Sequence, residues 1–272
     1  MRLLIILFVI LISTNSFAQN QSPYEVTPEI EIPVTIGLFT AIGLPRLFAA
    51  EMGGANCGLE CDPNNVNAFD RTVIGYHSSG SKTASDVLFF SGMLMPFGFH
   101  ALNVGLTNPT DGWEGYGKDV LVLTETLATT LVLNNLLDMA VRRPRPLVYD
   151  TSVPDEERLD PNSAFSFPSG HTAVVFAMGT AYSRLYMQRH PDSPWIIPIW
   201  IGSYAAGTAT GLTRIFAGEH YWTDVLAGAA MGVSTGLLIP WLHESNNKES
   251  SIGLRVDPII SPNAAGISVT IN

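Results

Sequence analysis

Two histidines, an aspartate and several arginines occur in three short stretches whose residue types suit phosphoryl transfer. The stretches are Arg142-Arg143-Pro144-Arg145-Pro146, then Pro168-Ser169-Gly170-His171, then Thr213-Arg214 followed by His220 and Asp224. A phosphoryl group in transfer carries spread negative charge, so its catalysis depends mainly on positioning and on positive groups. Guanidinium groups match phosphate oxygens in a bidentate way, which makes Arg145 and Arg214 candidate phosphate ligands.

The two histidines are candidates for the nucleophile and acid roles, because histidine titrates near neutral pH. Asp224 follows His220 by four residues, so we expect both on one face of a helix. A carboxylate beside an imidazole selects its tautomer and stabilises its charged form. Ser169 and Gly170, just before His171, are expected to open a helix whose free N–H groups and dipole favour an anion.

Each stretch taken alone has an ordinary structural explanation. A histidine and an aspartate four residues apart are usually a surface pair, and a Pro-Ser-Gly-His run is usually a turn with a helix cap. An Arg-Pro repeat usually just ends a helix. All three stretches, however, lie where an apolar segment meets a loop. This shared placement favours a single site over three coincidences.

Together the stretches resemble the three-part signature of the type 2 phosphatidic acid phosphatase (PAP2) superfamily, which includes bacterial acid phosphatases, lipid phosphatases and vanadium haloperoxidases. That signature reads Lys-x6-Arg-Pro, then Pro-Ser-Gly-His, then Ser-Arg-x5-His-x3-Asp. The second part is complete here, and the third is complete except that Thr213 replaces serine. The first keeps Arg145-Pro146, but Asp138 occupies the lysine position. The resemblance covers about residues 86–243.

The resemblance implies a division of roles among these residues. His220 would attack phosphorus and form a phosphohistidine, Asp224 would orient it, and His171 would protonate the leaving oxygen. The phosphate would be held by Arg145, Ser169, the Gly170 amide and Arg214. Neither a metal nor another cofactor is expected in this chemistry.

Asp138 is the clearest departure from the signature. An aspartate at the lysine position would repel a phosphate instead of attracting it. Arg142 or Arg143 could fill the lysine's space, and Arg143 is counted among the phosphate ligands on that basis. Two other outcomes stay open: Asp138 faces away from the pocket, or activity is weak or lost.

The segments that must position these residues are long, apolar and almost free of charge. Five of them are near the length that crosses a bilayer, namely Val87–Leu106, Val120–Leu137, Thr172–Met187, Trp195–Leu212 and Val225–Leu242. Their small residues suit close packing of helices in a membrane. We therefore predict an all-α, multi-helix bundle that crosses the membrane several times, with a soluble periplasmic bundle as the alternative.

The predicted helical phosphatase domain, residues 86–243, is flanked by three other parts. Residues 1–18 are typical of a secretory signal, with cleavage after Ala18. Residues 19–85 form a lead-in and a loop, in which Ile32–Ala50 is expected to be re-entrant or to lie on the surface. Cys57 and Cys61 in that loop predict a small disulfide in an exported protein. Residues 244–272 alternate around a turn and predict a short β-hairpin-like tail.

Charge and composition narrow the classes of partner. A net charge of -10 argues against binding to nucleic acid or to an anionic lipid surface. The expected partner is a phosphate ester, on a membrane lipid or on a small molecule. The site is expected to face the periplasm from the inner membrane, because the connection with Arg184 and Arg189 would then lie in the cytoplasm. The sequence carries no signal for an oligomeric state.

The expected function is hydrolysis of phosphate monoesters or pyrophosphates. Candidate substrate classes are phosphatidate-like lipids, undecaprenyl pyrophosphate and lipid A phosphates. Three competing interpretations are a soluble periplasmic acid phosphatase, a non-catalytic envelope protein that binds lipid headgroups, and a vanadium-dependent haloperoxidase. Extraction without detergent, turnover and added vanadate would separate them.

Overall fold

The computed structural model describes residues 21–49, 54–245, 254–261 and 264–271. Within these residues, six long helices follow one another, namely α1 (Pro28–Ala49), α2 (Ser79–Thr107), α3 (Gly112–Val141), α4 (Gly170–Arg189), α5 (Ile196–Phe216) and α6 (Trp222–Leu242). The predicted signal segment, residues 1–18, lies outside the described residues.

Short elements lie in the connections and near the C-terminus. Single-turn helices are formed by Ala68–Arg71 and Asp155–Arg158, and 3-10 turns by Pro63–Asn65, Pro146–Tyr149 and Pro161–Ala164. Two strands, β1 (Leu254–Ser261) and β2 (Ala264–Ile271), pair antiparallel, with Leu254 opposite Ile271 and Ser261 opposite Ala264. They fall in the segment whose alternation predicts a hairpin-like tail, and docking of that tail on the helices stays a prediction.

Helix α4 is the centre of the bundle, because it packs against α2, α3, α5 and α6. Val174 and Met178 of α4 form a core with Val122 and Leu123 of α3, and none of the four side chains is exposed. A helix that is apolar on all sides is normally an interior helix. The predicted segment Thr172–Met187 therefore lies inside the protein rather than at a lipid-facing surface.

Helices α4 and α6 approach closely because three glycines repeat every four residues along α6. Gly228, Gly232 and Gly236 face backbone carbonyl groups of α4, and a Cβ atom on any of them would collide with that backbone. Small residues are what permits such close helix contacts in membrane proteins. The contact places the start of α4 beside the start of α6, and so brings the second and third stretches together.

Helix α1 is continuous over 22 residues, so this part of the chain does not turn back on itself. The alternative expectation for Ile32–Ala50, a segment that lies on the surface, stays a prediction. Helix α1 packs along α3. The Thr35 hydroxyl donates a hydrogen bond to Glu125 at 2.9 Å, and the Asn135 amide donates to the carbonyl oxygen of Ile42 at 3.1 Å. Pro33, in the second turn, cannot donate a helical hydrogen bond. The contacts with α3 offset the loss of that bond. The lead-in therefore belongs to the bundle.

Helix α2 begins earlier than the predicted domain boundary at residue 86. Ser78 caps it, since its hydroxyl oxygen accepts a hydrogen bond from the N–H of Ser81 at 3.2 Å. Lys82 therefore lies on the first turn of a helix rather than in the predicted loop, and Asp86 follows it one turn later. This placement matters for the site described below.

Three helical stretches in the described part of the chain are long and apolar enough to cross a membrane by length and composition: Ser79–Thr107, Gly112–Tyr149 and Trp222–Leu242. Large apolar side chains also point outward from the bundle, including Val87, Ile197 and Leu226. An apolar surface of this extent is costly in water but not in lipid. The prediction of a helical membrane bundle is confirmed.

The helices alternate in direction, so the N-terminal part of the described chain meets the end of α6 at one end of the bundle. Tyr24 forms a β-bridge with Glu244. The N–H of Glu25 donates to the carbonyl oxygen of His243 at 2.8 Å. This end is opposite to the one where α4 and α6 begin.

The predicted disulfide between Cys57 and Cys61 is present, with the two Cα atoms 4.9 Å apart. It lies in the connection between α1 and α2, at the end of the bundle where α4 begins. Arg158, in the connection between α3 and α4, donates a hydrogen bond to the carbonyl oxygen of Leu59 at 3.1 Å. The two connections therefore form one layer over this end of the bundle.

A substitution at Gly232 tests the close α4–α6 contact. Gly232→Val should destabilise the protein by roughly 1–3 kcal/mol, because the added carbons have no room beside the Ala173 carbonyl. Gly98→Val on α2 is the matched control, since a Cβ atom at Gly98 meets nothing within 4 Å. Thermal unfolding in detergent measures both, and equal melting temperatures would contradict the packing described.

Candidate active site

The three stretches converge at the end of the bundle where α3 and α5 end and α4 and α6 begin. Backbone hydrogen bonds join them directly. The N–H of Ser169 donates to the carbonyl oxygen of Asp224 at 3.0 Å, and the N–H of Leu147 donates to that of Gly218 at 3.1 Å. The convergence expected from the sequence therefore exists as a set of interlocked loops.

His220 lies in the short connection between α5 and α6, so it does not share a helical face with Asp224 as expected. Gly218 turns this connection, with a φ of 72° that disfavours a side chain. The Nδ1 atom of His220 lies 2.7 Å from the carbonyl oxygen of Ser166. A carbonyl oxygen only accepts, so Nδ1 carries the proton and the Nε2 lone pair of His220 is available to attack.

Asp224 does not touch His220 directly. Its carboxylate is 3.9 Å from Nδ1 of His220, too far for a hydrogen bond. Instead it accepts the Ser166 hydroxyl at 2.6 Å, the N–H of Tyr221 at 2.8 Å and the Arg143 guanidinium at 2.5 Å. Asp224 therefore acts on the imidazole through Ser166, whose carbonyl oxygen orients it.

Arg143, expected among the phosphate ligands, joins loops together and is not one of the residues that line the cavity described below. Its guanidinium donates to Asp70 and to the Thr223 hydroxyl, each at 2.8 Å, besides Asp224. Burial would raise the pKa of Asp70, but hydrogen bonds from Arg143 and Thr223 hold that pKa below its usual value. The carboxylates of Asp70 and Asp224 both bind the Arg143 guanidinium, and such charge-assisted hydrogen bonds are strong. They explain why this side chain points toward the loops rather than into the cavity.

Three positive side chains converge on one buried carboxylate, that of Glu219. The Lys82 ammonium lies 2.8 Å and the Arg214 guanidinium 3.0 Å from it, and Arg145 forms a further ion pair with it. Glu219 is 1% exposed. Burial would raise the pKa of Glu219, but the charges of Arg145, Arg214 and Lys82 lower that pKa well below its usual value. Glu219 is thus ionised at neutral pH.

A cavity of about 780 Å³ lies over these charges, within the size range of small-ligand sites. The cavity is lined by Lys82, Asp86, Arg145, His171, Arg214 and Glu219. Three further acidic residues, Glu156, Glu157 and Asp160, also line it. The Nε2 atom of His171 lies 3.1 Å from Asp86. Burial, then the charge of Arg214, lower the pKa of His171 to about 4, and the charge of Asp86 offsets this only in part. The charge of a bound phosphate would favour the protonated imidazole.

His220, Ser169 and Gly170 do not line the cavity. His220 and Ser169 are buried, at 3% and 0% exposed. The Ser169 hydroxyl is hydrogen-bonded to that of Thr172 at 2.9 Å, and Gly170 faces the amide of Asn134.

The immediate neighbour of His220 in the chain, Glu219, does line the cavity. Burial, then the charges of Arg214 and Arg145, lower the pKa of His220 well below its usual value. The imidazole is therefore neutral and within the field of the same cations.

The residues that sequence reasoning missed are Lys82, Asp86 and Glu219. Glu219 directly precedes the predicted nucleophile, so its position in the third stretch is a usable signal. Lys82 and Asp86 lie in a Gly- and Ser-containing segment far from all three stretches. No local pattern marks them, and only the packing of α2 beside α5 brings them to the cavity.

The described residues contain one other group with metal-type ligands, formed by Glu31, Glu125 and His243 within 4.8 Å of one another. It lies near the opposite end of the bundle. Nε2 of His243 is 3.1 Å from Glu125, and its Nδ1–H donates to the carbonyl oxygen of Ile239 at 2.9 Å. Ion pairing accounts for this group, and it has no contact with the cavity.

The family model of the PAP2 superfamily matches residues 119–248, which include all three stretches and the residues bound to Asp224. This part of the chain belongs to the PAP2 superfamily. The match covers α4, α5 and α6 entirely and most of α3. It leaves out α1 and α2, and thus leaves out Lys82 and Asp86.

Curated relatives of this chain are lipid phosphatases by name. A lipid A 1-phosphatase of Porphyromonas gingivalis is 39% identical over 87 residues, covering 32% of this chain and 18% of that protein. The undecaprenyl-diphosphatase BcrC of Bacillus subtilis is 34% identical over 122 residues, covering 44% of this chain and 56% of that protein. The chain thus spans about a fifth to just over half of these relatives.

A solved structure, that of a transmembrane PAP2-type phosphatidylglycerolphosphate phosphatase from Bacillus subtilis, aligns with this chain at a TM-score of 0.48 and 21% identity. The alignment covers 76% of this chain and 94% of that one.

The link from Asp224 through Ser166 to His220 in this PAP2 site makes a testable prediction. Asp224→Asn should lower kcat by roughly 10²-fold or more, because the neutral side chain no longer holds Ser166 and Arg143 in place. Asp70→Asn is the control, since Asp70 also binds Arg143 but is not hydrogen-bonded to Ser166. It should lower the melting temperature with a much smaller loss of kcat. Equal kcat losses in both variants would contradict the positioning role.

Proposed function

We propose that this protein is a metal-independent phosphatase that hydrolyses phosphate monoesters or pyrophosphates of membrane lipids through a phosphohistidine on His220. The observation that carries the proposal is the convergence of Arg145, Arg214 and Lys82 on the buried carboxylate of Glu219. The next residue in the chain is His220, a neutral histidine with a free Nε2. Positive groups fixed in a water-poor site stabilise the charge that develops in phosphoryl transfer.

The reaction follows from the placement of the two histidines. Nε2 of His220 attacks phosphorus while its Nδ1–H remains bonded to the carbonyl oxygen of Ser166, which stabilises the charge that the ring acquires. The bond from phosphorus to the leaving oxygen breaks, and His171 delivers a proton to that oxygen. His171 then takes a proton from water, the water oxygen bonds to phosphorus, and the bond to Nε2 breaks. Inorganic phosphate leaves and His220 is regenerated.

A lipid substrate is supported by the surroundings of the site. Its cavity opens at the end of a bundle whose outer surface is apolar and whose helices are long enough to cross a membrane. The relatives named above act, by their names, on lipid A and on undecaprenyl diphosphate. The chemistry common to these substrates and to phosphatidate-like lipids is a phosphate group on a membrane anchor, and this is the substrate class we assign.

The experiment is phosphate release from these three lipid classes by purified protein in detergent with a chelator present. Wild type and the control His190→Gln should release phosphate, because His190 lies at the other end of the bundle, where it is hydrogen-bonded to Asn103. His220→Ala should release none, because the proposed phosphoryl acceptor is removed while the cavity-lining His171, Arg145 and Arg214 are kept. Release by His220→Ala would overturn the mechanism. No release by folded wild type would favour a protein that only binds headgroups.

We place the site on the periplasmic side of the inner membrane. The Cys57–Cys61 disulfide is in the layer that covers the site, and disulfides persist in oxidising compartments. Residues 22–25 lie at the opposite end, which would then face the cytoplasm. Cleavage after Ala18, as expected from the sequence, would leave residues 22–25 in the periplasm. If α1 crosses the membrane, this cleavage and the proposed orientation of the site exclude each other.

Two single cysteines test the orientation. Asn65→Cys lies exposed in the layer over the site, and Asp192→Cys lies exposed in the connection at the opposite end. In intact cells a membrane-impermeant maleimide should label Asn65→Cys alone, since the native cysteines are bonded to each other. Both should react after the membrane is permeabilised. Labelling of Asp192→Cys alone in intact cells would reverse the orientation, and release of the protein without detergent would favour the soluble alternative.

A further inference from the structure

The site lacks the positive charge that the first signature stretch normally contributes, because Asp138 occupies the lysine position. Asp138 is on the last turn of α3, where its carboxylate accepts a hydrogen bond from the Asn134 amide at 2.7 Å. It is not one of the residues that form the cavity wall. Asp138 therefore neither repels a phosphate at close range nor replaces the missing cation.

We propose that Lys82, on the first turn of α2, supplies this charge and binds the substrate phosphate together with Arg145 and Arg214. This inference rests on the proposed phosphatase function and adds a ligand from outside the part of the chain that matches the family. The Lys82 ammonium lies 2.8 Å from Glu219, the same carboxylate that both arginines contact. A phosphate, like a carboxylate, presents paired anionic oxygens to such donors.

The charge balance of the cavity wall shows why a third cation is needed. The cations that line the cavity are Lys82, Arg145 and Arg214, and the carboxylates are Asp86, Glu156, Glu157, Asp160 and Glu219. Without Lys82, only the two guanidinium groups would face these carboxylates. A phosphate monoester carries up to two negative charges near neutral pH, so the loss of one of three cations would weaken its electrostatic attraction to this lining.

Lys82 also has the freedom that a phosphate ligand needs. Its side chain is 47% exposed, whereas those of Arg214 and Glu219 are 4% and 1% exposed. A lysine has a flexible stem and a compact charge that can follow a ligand. Lys82 can therefore leave Glu219 for the phosphate, while the more buried Arg214 stays in place.

The competing explanation is that Lys82 is only a structural ion pair. Its ammonium also lies 3.5 Å from Glu157, which lines the cavity as well. In that case Lys82 would hold the connection that contains Glu157 against α2, and its loss would change stability rather than anion affinity. Direct measurement of anion binding separates the two roles.

The test measures binding of inorganic phosphate and of vanadate to full-length protein in detergent by calorimetry, beside kcat, KM and melting temperature. Lys82→Gln should weaken the binding of both anions by about tenfold or more and lower kcat/KM by roughly 10²-fold. Lys82→Arg should restore most of both, because it restores the charge. Lys118→Gln is the matched control: Lys118 is 39% exposed, lies on α3 and pairs with Glu114 at 3.1 Å. It should match wild type.

Each outcome decides the role of Lys82. Weaker anion binding in Lys82→Gln, with binding restored in Lys82→Arg, supports the proposal even if wild type turns over none of the lipids tested, which would count against the proposed function alone. Unchanged anion binding in a folded Lys82→Gln overturns the proposal, whether or not the melting temperature falls. Failure of wild type to bind either anion overturns it as well.

Discussion

The candidate site depends on a balance of buried charge, in which three cations share the carboxylate of Glu219. Like charges at this spacing repel strongly where water is scarce, so they stay together only around an anion. Lys82, Arg145 and Arg214 come from three different parts of the chain, and Glu219 joins them into one pocket. A substrate phosphate that takes over these contacts finds its ligands already assembled, which reduces the cost of ordering them.

A second network, built around Asp224, holds the proposed nucleophile His220 rather than the cavity. Arg143 and Ser166 bind the carboxylate, and the carbonyl oxygen of Ser166 sets the tautomer of His220. The two networks have different positions and different tasks. The outer one contacts the cavity, and the charges of its two arginines, together with burial, lower the pKa of the His220 imidazole. The inner one is closed by hydrogen bonds and aligns the imidazole. This separation explains why Arg143 and Arg145, only two residues apart, do different work.

Prediction from sequence succeeded where local chemistry decides the structure and failed where packing decides it. Apolar segments predicted the helices, and residue types predicted that His171, Arg145 and Arg214 would share one site. The α1 helix was missed because its stability comes from contacts with α3, such as that between Thr35 and Glu125. Arg143 was misplaced because its competing partner, Asp70, is distant in the chain and lies in a loop without a recognisable pattern.

The sequence by itself determined most of the helical segments and the identity of the candidate reactive groups, because these depend on residue type and short spacing. The tertiary structure decided which charges meet. Asp224 lies next to Ser166 rather than His220, since α6 begins only after the histidine. Lys82 reaches the cavity because α2 packs beside α5. Electrostatic interactions act through space over a few ångströms, and the order of residues along a chain does not record which of them will come that close.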